Sequence, residues 1–209
     1  PPPPFKTDKL EASTYKFIDS VIENKNKYKA LISLLLKENP QIKGIKDGDK
    51  IIKTNDFTNE IPKIISALDN SYMYIQGPPG TGKTTQASNT IIELLKSKKK
   101  IGITANSHKV IHNLLDKIEE ISGDVKFKGL KMGRLTDEDT IYNSQHIKTS
   151  SNEKDYIYGL NSEDTLIYAG TKYHFSSSYY DSKLDYLFID EAGQLSLADI
   201  IAIGTVAKN

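Results

Sequence analysis

The stretch YIQGPPGTGKTT, from Tyr74 to Thr85, concentrates three glycines and two prolines in nine residues. The preceding segment, SYMYIQ, predicts a strand over residues 72–76, because aromatic and β-branched residues favour extended structure. The following segment, KTTQASNTIIELLK, spaces its apolar residues as one face of an amphipathic helix. Between them, Gly77 to Thr84 match the pattern G-x-x-x-x-G-K-[ST] residue for residue, in the strand–loop–helix context that this motif requires.

Such a loop is suited to binding a triphosphate. Consecutive backbone N–H groups can converge on phosphate oxygens, and the following helix N-terminus adds its partial positive charge. Lys83 is predicted to contact the β and γ phosphates, and the Thr84 hydroxyl is predicted to bind Mg²⁺. The expected cofactors are therefore ATP and Mg²⁺. The predicted nucleotide-binding residues are Gly77, Pro78, Pro79, Gly80, Thr81, Gly82, Lys83, Thr84 and Thr85.

A second motif, LDYLFIDEAGQ, is an apolar strand that ends in two carboxylates. If a parallel sheet places this strand end beside the loop, Asp190 can hold Mg²⁺ together with Thr84. Glu191 can then orient and deprotonate an attacking water. The alternative is an ordinary solvated strand end. The combination with the upstream loop favours a nucleotide site, and the adjacent Asp and Glu favour hydrolysis over phosphoryl transfer to a substrate.

The surrounding pattern alternates strands with helices, which predicts an α/β fold with a mostly parallel sheet and helices on both faces. Residues 1–71 are predicted to form a helical accessory segment. The predicted helices and strands are a helix over residues 9–37, a helix over 59–68, a strand over 100–105, a helix between Ser107 and Gly123, two strands in TLIYAG and LDYLFID, and a helix that begins at SLADII. The segment KTSSNEK is predicted to be a loop.

Composition limits the alternatives. The 209 residues carry a net charge of +1. The sequence contains no cysteine, and this excludes disulfides and thiolate metal sites. No apolar run approaches the length that spans a bilayer, so we expect a cytoplasmic protein without a membrane partner. Arg134 is the single arginine, and the lysine clusters KSKKK and KFKGLKMGR are expected to face solvent.

Three segments resemble superfamily 1 helicases, in the branch that contains the nonsense-decay and replication helicases. They are IQGPPGTGKT, DEAGQ and TANSHKVIHNLL, and AGTKYHF is similar to a fourth, short threonine motif of that branch. The nearest similarity is to the helicase half of bacterial RecB-like nuclease–helicase fusion proteins. The resemblance covers residues from about 72 to 208.

This resemblance implies a RecA-like P-loop NTPase domain over residues 72–209, with an insertion at about 116–163. It implies that Gln194 senses the γ-phosphate, and that Ser107, His108 and Thr171 contact single-stranded nucleic acid, with DNA favoured. For Ser107, a simple helix cap is the alternative. The implied partners are a second RecA-like domain, which supplies an arginine finger in this family, and a nuclease domain of the same full-length protein. Without that finger we expect slow hydrolysis of ATP, since its loss costs roughly 10³–10⁵ in rate.

Two other functions remain open at this point. One is an AAA+ ATPase that remodels proteins, although DEAGQ and the 107 positions between Lys83 and Asp190 favour the helicase. The other is a regulatory module that binds ATP and controls assembly.

Overall fold

The computed structural model describes residues 7–78 and 80–209. The helices are α1 (Asp8–Ile22), α2 (Lys29–Leu36), α3 (Phe57–Ser66), α4 (Lys83–Lys96), α5 (His108–Ile121), α6 (Glu153–Leu160), α7 (Lys172–Phe175) and α8 (Leu197–Gly204). The strands are β1 (Ile101–Thr104), β2 (Lys128–Met132), β3 (Ile147–Ser150), β4 (Thr165–Ala169) and β5 (Tyr186–Ile189). In the described residues, no helix combines the length and the apolar character needed to cross a bilayer.

The five strands form one sheet in the order β3-β2-β4-β1-β5, and every pair of neighbours is parallel. The central strands β1 and β4 are buried along their whole length. Strands covered on both faces read as continuous apolar runs, which explains IGIT and TLIYA. The predicted α/β fold is therefore confirmed, and its parallel sheet is consistent with a RecA-like P-loop domain.

Helices cover both faces of this sheet. On one face, α3, α4 and α5 contribute their apolar residues to a core shared with β1 and β4. On the other face, α1, α6, α7 and α8 pack around a second core rich in tyrosine. Because α3 packs with α4, it joins the sheet domain, and the predicted boundary at residues 71 and 72 stays a prediction.

The carboxyl ends of three adjacent strands meet at one edge of the sheet. Thr104, which ends β1, pairs with Ile189 of β5, and Ile103 pairs with Ala169 of β4. Backbone hydrogen bonds continue beyond the strands, because the N–H of Asp190 donates to Thr104 O at 2.9 Å. The loops after β1, β4 and β5 therefore emerge side by side.

The strand predicted over residues 72–76 is wrong, since the structure shows no strand there. Asn209 lies between this segment and β5. Its carbonyl accepts from the N–H of Leu187 at 2.9 Å, and its side-chain Oδ1 accepts from the N–H of Ser71 at 3.1 Å. In the described part of the chain, residues 206–209 form backbone hydrogen bonds along β5 and the residues just before it. Residues 72–76 pair with no strand there, and a strand needs a hydrogen-bonded neighbour.

Two further predictions are corrected. The helix predicted over residues 9–37 is interrupted between α1 and α2, where Asn24 and Asn26 take positive φ angles. Asparagine tolerates this left-handed conformation and so ends helices. The predicted loop KTSSNEK instead contains the end of β3 and the start of α6, because parallel pairing with β2 overrides its weak local preference.

Candidate nucleotide site and nucleic-acid interface

The glycine-rich loop leads directly into α4. Gly80 and Gly82 have φ angles of 78° and 82°, in the left-handed region that favours glycine. A Cβ at Gly77 would lie 2.7 Å from the Thr81 hydroxyl, so a side chain there would require Thr81 to shift. The predicted residue Pro79 lies outside the described residues.

Lys83, the first residue of α4, folds its side chain over this loop. Its Nζ donates to the carbonyl oxygens of Gly77 at 2.6 Å and Pro78 at 2.9 Å. Thr84 and Thr85 follow in the first turn, where Thr84 is partly buried and Thr85 is exposed. The lysine Nζ is thus held against the backbone of the loop.

The N-terminus of α4 lacks a cap of its own. Its N-cap residue is Gly82, which has no side chain to accept a hydrogen bond from the first turn. The first N–H groups of a helix have no partner within the helix, so they are free to bind an anion. This donor set, together with Lys83, fits the phosphates of a nucleotide.

The carboxylate pair lies at the carboxyl end of β5. Asp190 uses Oδ1 to accept from the N–H of Glu191 at 2.9 Å. Glu191 has a φ of 52°, a left-handed conformation that is uncommon for a residue other than glycine. Such conformations cost about 1–3 kcal/mol and cluster at functional sites.

A chain of side-chain hydrogen bonds starts at Glu191. Gln194 donates from Nε2 to Glu191 Oε2 at 2.8 Å, and it accepts from Asn106 Nδ2 at 3.4 Å. Asn106 lies in the loop after β1, next to Ser107 and His108. This chain therefore links the carboxylate after β5 to the loop that precedes α5.

Other predicted site residues are not joined by direct contacts. Among the described residues, no hydrogen bond or ion pair connects Lys83 or Thr84 with Asp190 or Glu191. The same residues contain no group of three or more His, Cys, Asp or Glu that could hold a metal ion. Mg²⁺ commonly has only one or two protein ligands and completes its shell with phosphates and water, so a hydroxyl and a single carboxylate still fit it.

Ser107 is the N-cap of α5. Its hydroxyl accepts from the N–H of Val110 at 3.3 Å. The helix-cap alternative for this residue is therefore present in the structure. Thr171 is the residue that precedes α7, after the carboxyl end of β4, and its side chain makes no cap hydrogen bond.

His108 is the first residue of α5 and has an unexpected partner. Lys131, in β2, is fully buried, and its Nζ lies 2.7 Å from His108 Nδ1. The expectation that the KFKGLKMGR lysines face solvent is thus wrong for Lys131. Strand alternation is the signal that could have revealed it, because Gly129 and Lys131 share the buried face of β2.

Residues 58–173 match the family model described as an AAA domain, which is more than half of the chain. The chain belongs to this AAA domain family. The matched segment of the AAA domain includes the glycine-rich loop, α4, α5 and the loop after β4.

Two curated relatives are similar to this AAA domain. The DNA replication ATP-dependent helicase/nuclease DNA2 of Saccharomyces cerevisiae is 29% identical over 147 residues, which cover 69% of this chain and 9% of the relative. The DNA replication ATP-dependent helicase/nuclease dna2 of Schizosaccharomyces pombe is 34% identical over 131 residues, 60% of this chain and 9% of the relative. The similarity supports the superfamily 1 helicase family, and the AAA domain corresponds to a small part of such proteins.

Proposed function

We propose that this AAA domain is the ATP-binding and ATP-hydrolysing motor domain of a helicase or translocase that acts on single-stranded nucleic acid, with DNA favoured. The observation that carries the proposal is the hydrogen-bonded chain Asn106–Gln194–Glu191. It connects the loop expected to contact a strand with the carboxylate expected to activate water. A motor needs such a connection, whereas a passive nucleotide sensor does not.

In this proposal the loop and the first turn of α4 bind the triphosphate of ATP. Lys83 contacts the β and γ phosphates, while Thr84 and Asp190 hold Mg²⁺, which neutralises charge that develops on the phosphates. The open N-terminus of α4 supports this role, since its N–H groups lack a cap.

Glu191 and Gln194 would supply the remaining chemistry. Glu191 orients and deprotonates the attacking water, and Gln194 contacts the γ-phosphate. Because Gln194 is bonded to both Glu191 and Asn106, a shift of the loop after β1 would change the position of the Glu191 carboxylate. Strand binding would thereby stimulate hydrolysis.

The strand itself would cross the carboxyl edge of the sheet. His108 and Thr171 follow β1 and β4, which are neighbours, and Ser107 adds its hydroxyl. Hydroxyl groups and helix N-termini are common donors to backbone phosphates, and a neutral imidazole has one N–H that can donate as well. The names of the two relatives, both DNA replication helicase/nucleases, favour DNA and a role in replication or repair.

The proposal also concerns the full-length protein. By resemblance, we infer a second RecA-like domain that supplies an arginine finger, a linked nuclease domain, and movement in the 5′-to-3′ direction. The similarity to the helicase half of RecB-like nuclease–helicase fusions supports the nuclease, and the printed names of the two relatives agree with it.

Binding to a labelled oligonucleotide tests the proposal. Fluorescence anisotropy should show binding of single-stranded DNA that depends on a non-hydrolysable ATP analogue and weakens as salt increases. ATP hydrolysis by this domain alone should be slow, because the arginine finger is expected from a second domain, and it should rise above its own basal rate when the strand is added. ATP binding without binding of DNA or RNA would overturn the motor and favour a protein-remodelling or regulatory ATPase.

A further inference from the structure

Lys131 is a buried cation with very few partners. Its side chain is fully buried, and its Nζ contacts only His108 Nδ1, at 2.7 Å, and the carbonyl oxygen of Thr140 among the described residues. Burying a charge without hydrogen bonds is costly, so these two contacts determine whether Lys131 can stay protonated. An ammonium has three N–H donors and no lone pair, which means that His108 Nδ1 must accept.

The protonation states agree with this assignment. Burial lowers the pKa of Lys131 to about 8, against the opposing attraction of Asp137, so the amine is mainly charged at pH 7. The pKa of His108 is lowered to about 4, first by burial and then by the positive charges of Lys131 and His112, with Asp137 opposing. His108 is thus neutral at pH 7, and a neutral imidazole whose Nδ1 accepts carries its proton on Nε2.

We propose that Lys131 is a positioning residue that fixes His108 as a neutral Nε2–H donor for a backbone phosphate of the bound strand, an inference that rests on the proposed function. The lysine itself is fully buried and makes no contact with the strand. It acts through the histidine, which stands at the start of α5 beside Ser107. In the described residues, no hydrogen bond uses His108 Nε2, so this donor is available to a ligand.

A purely structural role for Lys131 is the competing explanation. Its Nζ also holds the carbonyl of Thr140, and Thr140 fastens the turn at Arg134 by two further hydrogen bonds. Loss of Lys131 could therefore loosen this turn without affecting a ligand. The experiment must measure the histidine itself.

The first measurement is the tautomer of His108 in the purified protein. Long-range ¹H–¹⁵N correlation spectra at pH 7 should show an unprotonated Nδ1 and a protonated Nε2. Lys131→Met should remove this preference and raise the pKa of His108. The matched control is Lys128→Met, which removes an exposed lysine from the same strand and should leave the spectrum unchanged. A protonated Nδ1 in the unsubstituted protein overturns the proposal without the need for any variant.

The second measurement is affinity for a labelled oligothymidylate in the presence of a non-hydrolysable ATP analogue. His108→Ala should weaken binding about 10-fold, as for one hydrogen bond to a charged group. Lys131→Met should weaken it by a similar factor, yet should add less than about 2-fold in the His108→Ala background. Additive losses would show that Lys131 acts through the fold instead.

The two measurements separate this inference from the proposed function. A correct tautomer with no strand binding by the unsubstituted protein overturns the motor and the phosphate-donor role together, and leaves Lys131 structural. Strand binding with the wrong tautomer, or with additive losses, overturns only the role of Lys131. If Lys131→Met does not fold, Lys131→Arg, which keeps the donor, replaces it and should retain the tautomer.

Discussion

Helices α4 and α5 are alike in almost everything except how they begin. Each has 14 residues, both contribute to the same core on one face of the sheet, and the two pack against each other. Helix α4 follows Gly82, which provides no cap, whereas α5 follows Ser107, whose hydroxyl accepts from the first turn. In α4 the first N–H groups therefore have no side-chain partner and can bind a ligand. In α5 the Ser107 hydroxyl already accepts a hydrogen bond from one of the first N–H groups.

Both helices also place a basic residue at their first position. A cation is unfavourable at a helix N-terminus, where the partial charge is positive. In α4 the lysine side chain contacts loop carbonyls, an arrangement that suits a site for phosphates. In α5 the pKa of His108 is lowered to about 4, so the residue is neutral. This difference supports the proposal that the start of α4 binds a nucleotide and the start of α5 positions a strand.

The Glu191 carboxylate, which we propose activates water, offers the largest expected effect. We expect Glu191→Gln to lower kcat for strand-stimulated ATP hydrolysis about 10²- to 10⁴-fold, because general-base catalysis contributes that much. Nucleotide affinity should remain close to that of the unsubstituted protein. Steady-state hydrolysis and binding of a fluorescent ATP analogue measure the two quantities.

The control for Glu191 is Glu120→Gln, an equal loss of charge on the exposed side of α5. It should leave both quantities unchanged. If Glu191→Gln hydrolyses ATP normally, another group activates the water. The hydrogen-bonded chain Asn106–Gln194–Glu191 would then not connect strand binding to catalysis.

Lys83 tests the charged start of α4 directly. Lys83→Met should weaken ATP binding about 10- to 100-fold, since hydrogen bonds to charged groups contribute about 1.5–3 kcal/mol. Titration calorimetry measures it. Lys96→Met, at the exposed far end of the same helix, is the matched control and should bind ATP normally. Equal losses in both variants would indicate a general charge effect rather than a site.

Features set by residues close together in the sequence could be predicted, whereas features set by pairing of distant segments could not. The loop and the DEAGQ segment were recognisable because their residues act at fixed short spacings. Alternation along β2 places Lys131 and Gly129 on one face, but the burial of that face depends on parallel pairing of β2 with β3 and β4, which local patterns do not encode. The wrong strand over residues 72–76 has the same origin, since its propensity is favourable but residues 206–209, distant in sequence, take the backbone hydrogen bonds beside β5.

Acid should affect the start of α5 through His108. Folding holds this residue neutral, with a pKa of about 4 against 6.5 in the unfolded chain. Its contribution to stability is therefore complete above pH 6.5 and is lost as the pH falls towards 4. After allowance for partial exposure, we expect a loss of roughly 1–2 kcal/mol in the free energy of unfolding.

Urea unfolding at a series of pH values from 7 to 4 measures this loss. His108→Gln, whose side-chain oxygen can still accept from Lys131, does not titrate and should show a shallower decline. The remaining decline comes from other groups, including His112 and His174, whose pKa values are also lowered by burial. Identical declines in the two proteins would mean that His108 is not held neutral by the fold.

The smallest expected effect concerns Ser107. Its substitution distinguishes a helix cap from a contact to the strand. Ser107→Ala should lower the free energy of unfolding by about 1 kcal/mol, because the cap is lost. Ser107→Asp should restore it, since aspartate caps as well as serine and favours the positive helix end. If Ser107 also donates to a phosphate, Ser107→Asp should bind the strand more weakly than Ser107→Ala, because the carboxylate repels it. Equal strand affinity for the two variants, with the expected stabilities, would leave Ser107 as a cap alone and assign the contact to His108 and Thr171.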